Sequence, residues 1–126
     1  MKKVVTFGEV MVRLAPSEHD RFVQSCPGSV DLTFGGAESN VAASISILGG
    51  SSRFVSALPQ HAIADAFVRQ MRGFKVDVDH VLRREAGRFG IYYVETGANQ
   101  RPSRVIYDRD YSCLLYTSDA ADDGIR

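Results

Sequence analysis

An alternation of short apolar runs with helical patterns constrains the fold of this chain most. Residues 4–7 form a β-branched apolar run that ends at Gly8, and residues 53–58 form a similar run. A helical pattern follows each run, at residues 37–48 before the Gly49-Gly50 pair and at residues 62–72. Strand, helix, strand and helix with short connections predict right-handed βαβ units around a parallel sheet.

Four further segments have strand character but do not continue this alternation. Residues 89–95 and 104–107 flank a polar, turn-forming run, which predicts a β-hairpin. We expect the strands to form a small sheet apart from the parallel layer, from residues 11–15, 30–34, 89–95 and 103–109. Residues 17–29, rich in Ser, Asp, Pro and Gly, are predicted to be a loop.

Charge balance and hydropathy argue against a nucleic-acid-binding, membrane-spanning or secreted protein. Among 126 residues, 15 Lys and Arg balance 15 Asp and Glu, whereas a nucleic-acid binder usually needs a clustered basic surplus. No apolar run reaches the roughly 18 residues of a membrane span, and the apolar start breaks at Gly8-Glu9, unlike a signal peptide. We therefore expect a soluble, cytoplasmic α/β protein with no nucleic-acid or membrane partner.

The first candidate site is the segment from Gly35-Gly36 to Asn40. Two glycines permit a sharp bend and let a ligand approach the backbone, and the helix that follows offers free N–H groups. Asn40 could then give a donor and an acceptor to ligand hydroxyls. The alternative is an ordinary strand-to-helix turn in which Asn40 helps to cap the helix.

The second candidate site lies on the predicted hairpin. Tyr107 and Arg109 should point to the same side of their strand, and Tyr92 lies on the other strand. A phenol and a guanidinium on one face suit a polyhydroxylated ligand that carries a carboxylate. The alternative is a solvated strand with a packed tyrosine. Glu9, at the end of the first strand, is either a ligand contact or a simple strand-end carboxylate.

Other reactive side chains show no catalytic pattern. Cys26 and Cys113 form neither a metal-binding pair nor a disulfide framework, and no phosphate-binding glycine loop occurs. We expect the three histidines to lie at the surface, at positions His19, His61 and His80.

Four motifs in order make residues 1–112 resemble the N-terminal part of a ribokinase-type (PfkB) carbohydrate kinase, and within that family the 2-keto-3-deoxygluconate kinases. The motifs are GEVMVRLAP (8–16), FGGAESNVA (34–42), GIYYVE (90–95) and VIYDR (105–109). The resemblance implies a Rossmann-like α/β domain with a small β-sheet lid. It also implies phosphoryl transfer from magnesium ATP to a sugar hydroxyl, and a homodimer formed through the lid strands.

The resemblance also implies roles for single residues. Gly36 and Asn40, with Gly35 alongside, would bind the sugar together with the lid tyrosine, Tyr92. Tyr107 and Arg109 would hold a sugar acid and its carboxylate. Arg13 stands where ribose and fructose kinases of the family typically carry an aspartate, which weighs against a neutral pentose as substrate.

The nucleotide side of such kinases lies in a C-terminal Gly-Ala-Gly-Asp motif that this sequence does not contain. We therefore expect ATP and Mg²⁺ to serve the full-length enzyme, with no catalytic base, nucleotide site or metal site in these 126 residues. The alternatives are a fructokinase- or ribokinase-like enzyme, or a non-catalytic sugar-binding or dimerisation module.

Residues 113–126 do not continue the resemblance. Residues 113–123 (CLLYTSDAADD) can be back-translated into the transposon-end adapter of sequencing libraries, read in frame. We expect residues 113–126 to be translated adapter; a divergent C-terminus is the alternative.

Overall fold

The computed structural model describes residues 2–115, which form eight strands and three helices. In chain order they are β1 (Val4–Phe7), β2 (Met11–Ala15), α1 (Phe22–Ser25), β3 (Asp31–Gly35), α2 (Ala37–Ile47), β4 (Ser52–Val55), β5 (Ala57–Pro59), α3 (Ala62–Gly73), β6 (Leu82–Arg84), β7 (Ile91–Glu95) and β8 (Arg104–Asp108). Most of the predicted adapter segment, residues 116–126, lies outside the described residues.

The four additional strands form one sheet, as predicted. Its order is β3-β2-β7-β8, with β2 parallel to β7 and antiparallel to β3. Strands β7 and β8 form the predicted antiparallel hairpin, with Tyr92 opposite Tyr107. We call this four-stranded sheet the lid sheet.

The α/β layer has parallel strands, as the alternation predicts. Strand β1 pairs with β4, and β5 pairs with β6, both in parallel. The prediction of one strand over residues 53–58 was wrong, because the run divides at the buried residue Ser56. There the Leu82 N–H donates to the Ser56 carbonyl at 2.9 Å, so the chain exchanges its β1 neighbour for β6.

The prediction of a continuous loop at residues 17–29 was also wrong, since it contains the one-turn helix α1. The Arg21 N–H donates to Gln24 Oε1 at 2.7 Å, which closes the turn. Phe22 then packs edge-on against Tyr93 with ring centroids 5.8 Å apart, and its N–H donates to Glu95 Oε2 at 2.9 Å. Contacts with the lid sheet therefore stabilise a turn that its local sequence does not favour.

Helix α2 ends at the predicted glycine pair. The Gly49 N–H donates to the Ser46 carbonyl and the Gly50 N–H to the Ile45 carbonyl, which is a Schellman cap. The buried residues of α2 are Ser39 and Ala42 rather than the larger apolar side chains that predicted the helix. Small residues face β1 and β4 because the helix lies close to them; Ser52 Oγ donates to the Ala42 carbonyl at 2.7 Å.

Four phenylalanines connect the lid sheet to the α/β layer. Phe67 of α3 packs edge-on against Phe34 of the lid sheet and Phe54 of β4, with centroids 5.4 and 5.8 Å apart. Phe34 also stacks on Phe89, which precedes β7. The two parts therefore share one apolar core. No helix among residues 2–115 is long and apolar enough to cross a membrane.

Candidate functional site

The Gly35-Gly36 pair lies where β3 meets α2, and Gly35 packs against Tyr92 of the lid sheet. Gly36 is the N-cap of α2 and is extended, with φ of 175° and ψ of 130°, so the predicted sharp bend is not what requires glycine. Contacts require it instead: a Cβ on Gly36 would lie 2.8 Å from the Glu9 carbonyl oxygen. A Cβ on Gly35 would collide with Tyr92 Oη and lie 2.9 Å from its Cζ.

Asn40 is one helical turn beyond the pair and is exposed. Its N–H donates to the Gly36 carbonyl at 3.0 Å, but no side chain caps the start of α2. Ser39 Oγ instead donates to the Gly36 carbonyl at 3.0 Å. The capping alternative therefore does not describe Asn40, whose amide makes no hydrogen bond within residues 2–115.

The two tyrosines meet on one face of the lid sheet. Tyr92 and Tyr107 are directly opposite in register, with ring centroids 6.1 Å apart. Tyr92 is half-buried against Gly35, whereas Tyr107 is 63% exposed. Arg13 of β2 is the register partner of Tyr92, so it belongs to the same face. The structure thus brings Gly35, Tyr92 and Tyr107 together.

Arg109 follows β8 and forms an ion pair that the sequence did not reveal. Its Nη2 lies 2.9 Å from Glu9 Oε1, and the Glu9 side chain is only 11% exposed. The two residues are 100 positions apart, so no local pattern signals their contact. Glu9, for which the sequence allows a ligand contact or a strand-end carboxylate, is the ion-pair partner of Arg109.

A second ion pair holds the end of β8. Arg88 pairs with Asp108, and its Nε donates to the Asp110 carbonyl at 2.8 Å. The Arg88 guanidinium lowers the pKa of the Asp108 carboxyl, and hydrogen bonding to Asp108 raises the pKa of Arg88. These contacts anchor the backbone on both sides of Arg109.

The described residues show no metal-binding group, and the open grooves on their surface lie apart from the candidate site residues. No group of three or more His, Cys, Asp and Glu side chains within residues 2–115 is placed to bind a metal ion. An open groove of about 550 Å³ runs along α3, but none of the candidate site residues lines it. The three histidines are exposed, as predicted.

Comparison with known proteins gives consistent matches. The family model described as pfkB family carbohydrate kinase matches residues 1–122. A 2-dehydro-3-deoxygalactonokinase of Haloferax volcanii is 39% identical over 107 residues, which are 85% of this chain and 33% of that protein. This chain thus spans about a third of the relative's length.

Solved structures agree with the fold. The crystal structure of 2-dehydro-3-deoxygluconokinase from Thermotoga maritima matches with a TM-score of 0.84 and 46% identity, over 90% of this chain and 34% of that one. This match confirms the expected α/β fold. Fructokinase from Xylella fastidiosa, solved with bound ATP, shares the fold with a TM-score of 0.74 at 21% identity, over 90% of this chain and 32% of that one.

Proposed function

Because this chain belongs to the pfkB family of carbohydrate kinases, we propose that it carries the sugar-binding side of an ATP-dependent kinase for a sugar acid, 2-keto-3-deoxygluconate. The reaction would transfer the γ-phosphoryl group of ATP to a hydroxyl of that acid. The names of two similar proteins, a 2-dehydro-3-deoxygalactonokinase and a 2-dehydro-3-deoxygluconokinase, support this substrate class.

One observation carries the substrate proposal: the Arg109 guanidinium directly follows the strand that carries Tyr107, and Tyr107 is the register partner of Tyr92. A guanidinium presents five N–H donors in a planar fork that matches a carboxylate. Arg109 is 41% exposed at its side chain, so part of this fork is open to a ligand.

The remaining site residues would bind the polyhydroxylated body of the substrate. The Asn40 amide, free of other hydrogen bonds in the described chain, supplies a donor and an acceptor for hydroxyls. Gly35 and Gly36, as the resemblance implies, would present their backbone to the sugar beside the Tyr92 ring. Tyr92 and Tyr107 supply phenol hydroxyls and ring faces from the lid sheet.

ATP would supply the phosphoryl group and Mg²⁺ would neutralise its charge. Residues 2–115 do not fit this pair of groups, since they hold neither a metal-binding cluster nor a glycine-rich phosphate loop. We therefore assign the nucleotide side and the catalytic base to sequence outside this chain, with residues 1–112 as the sugar side and residues 113–126 as adapter.

A homodimer through the lid sheet is part of the proposal. Its outer strands, β3 and β8, each have one unpaired edge within the described chain, and β8 is largely exposed. Unpaired edges favour strand addition from another chain. Sedimentation of the complete gene product would distinguish a dimer from a monomer.

The test of the function is to sequence the gene beyond Ser112, express the complete reading frame and assay it. We expect ATP-dependent phosphorylation of 2-keto-3-deoxygluconate. Arg109→Ala should raise KM for the acid about tenfold or more, because it removes a charge-assisted hydrogen bond. The matched control is Arg104→Ala, which removes an exposed arginine from the opposite face of β8 and should leave KM unchanged.

Two results would contradict this function. Phosphorylation of fructose or ribose in preference to the acid would make the enzyme a neutral-sugar kinase. A reading frame that ends at Arg126 and shows sugar binding without phosphorylation would make it a binding module.

A further inference from the structure

We propose that Glu9 is a positioning residue for Arg109 and that their ion pair sets the preference for sugar acids over neutral sugars. This inference rests on the proposed function, in which Arg109 binds the substrate carboxylate. It concerns a residue that would not itself touch the substrate.

The contact is between a buried group and a half-exposed one. Glu9 Oε1 lies 2.9 Å from Arg109 Nη2, and the two side chains are 11% and 41% exposed. Both Glu9 oxygens are shielded from solvent, so a ligand in the open site would meet the guanidinium and not the carboxylate. Glu9 therefore lies behind Arg109 as seen from the site.

Arg109 is also the only counter-charge of Glu9 among residues 2–115. Neither Glu9 oxygen has a hydrogen-bond partner there, so the ion pair is the interaction that compensates the carboxylate. Removing one partner of a buried ion pair leaves an uncompensated charge, which is strongly unfavourable. The guanidinium is therefore held toward Glu9, and only the donors on its outward edge remain for a ligand.

The pair packs closely against the Gly90 backbone, which directly precedes β7. A Cβ on Gly90 would lie 3.1 Å from Glu9 Oε2 and 3.3 Å from Arg109 Cβ. Glu9 precedes β2 whereas Arg109 follows β8, so the pair crosses the β2–β7–β8 part of the lid sheet. An arginine held at both its backbone and its head loses less entropy when it binds a carboxylate.

The test compares Glu9→Ala, Glu9→Gln and Arg109→Ala in the complete gene product. The measured quantity is the ratio of KM for 2-keto-3-deoxygluconate to KM for fructose, a sugar without a carboxylate. We expect Glu9→Ala to raise this ratio about tenfold, since it releases the guanidinium from its ion pair. Glu9→Gln keeps the size of the side chain but removes its charge, so it should raise the ratio by a similar factor if the ion pair is what positions Arg109.

Introducing Glu9→Ala into the Arg109→Ala variant separates a positioning effect on Arg109 from a general loss of structure. There, Glu9→Ala should change the ratio by less than about twofold, because no guanidinium remains to be positioned. Glu85→Ala, at an exposed position, is the control for loss of a carboxylate. In the complete gene product, the Arg109 Nη protons should exchange slowly with water in NMR spectra of the wild type and faster in both Glu9→Ala and Glu9→Gln.

Two failures have different meanings. If Arg109→Ala weakens acid and neutral sugar equally, the proposed carboxylate contact is wrong. If Arg109→Ala is selective for the acid but Glu9→Ala leaves the ratio unchanged, only the positioning role is overturned. Should Glu9→Ala fail to fold, a Glu9→Gln variant whose ratio equals that of the wild type would overturn the positioning role as well.

Discussion

Gly36→Ala tests whether close packing, rather than backbone conformation, explains the glycine pair. Gly36 is extended, a conformation that alanine adopts without strain, so its φ and ψ predict no penalty. The added methyl, however, would lie 2.8 Å from the Glu9 carbonyl oxygen and 3.2 Å from Val10 Cα. Both are backbone atoms of the buried segment before β2, which can move only if the strand moves.

We expect Gly36→Ala to lower the free energy of unfolding by about 2–3 kcal/mol, the upper part of the range for overpacking. Gly35→Ala should cost less, about 1–2 kcal/mol, because the obstacle is the Tyr92 side chain, which is half-exposed and can turn away. Gly73→Ala is the matched control. No atom lies within 4 Å of a Cβ there, and alanine in α3 should add about 0.5–1 kcal/mol.

Urea unfolding followed by far-UV circular dichroism measures all three variants. In a Tyr92→Ala background, Gly35→Ala should cost less than about 0.5 kcal/mol, since the obstacle is gone. Gly36→Ala should keep its full cost there. The reasoning is refuted if Gly36→Ala unfolds at the wild-type midpoint, or if Gly35→Ala costs the same with and without the Tyr92 ring.

Two further predictions concern stability. Hydrogen bonds from the Asp79 N–H, Lys3 and Arg53 hold the pKa of Asp77 well below its usual range, so its contribution to stability is present at neutral pH and lost as the pH falls below about 4. Asp77→Asn should therefore be less stable than wild type at pH 7 and lose less stability on acidification. Urea titrations between pH 7 and 2 measure this difference, and the exposed Asp79→Asn should change little. The Phe67 side chain is 1% exposed, so Phe67→Ala should lower the free energy of unfolding by about 3–5 kcal/mol and Phe67→Leu should lower it clearly less. A similar loss for both variants would argue against the aromatic packing of Phe67.

Local sequence patterns predicted the secondary structure correctly where they agreed with one another. The helix at residues 37–48 and the β7–β8 hairpin were predicted because spacing, glycine caps and turn residues agreed. The strand at residues 53–58 and the loop at residues 17–29 were wrong in part. Their outcome depends on β6 and on the lid sheet, which lie far away in the sequence.

For the candidate site too, the sequence proposed the residues but not all of their contacts. The motifs propose six site residues, and the structure places Gly35 against Tyr92 and Tyr92 beside Tyr107. The proposed residues are Gly35, Gly36, Asn40, Tyr92, Tyr107 and Arg109. The sharp bend expected at the glycine pair was wrong for Gly36, because a local argument considers backbone freedom but not the strand that lies against the missing Cβ.

The sequence by itself determined the α/β class, the separate lid sheet and the family, because periodicity, turn residues and ordered motifs are local properties of the chain. Only the tertiary structure decided which apolar residues are buried and which charges meet. Val41 and Leu48 formed the apolar row that predicted α2, yet both are exposed. Glu9 and Arg109 form an ion pair across 100 residues. Burial and pairing depend on which elements become neighbours in space, and sequence spacing does not record that.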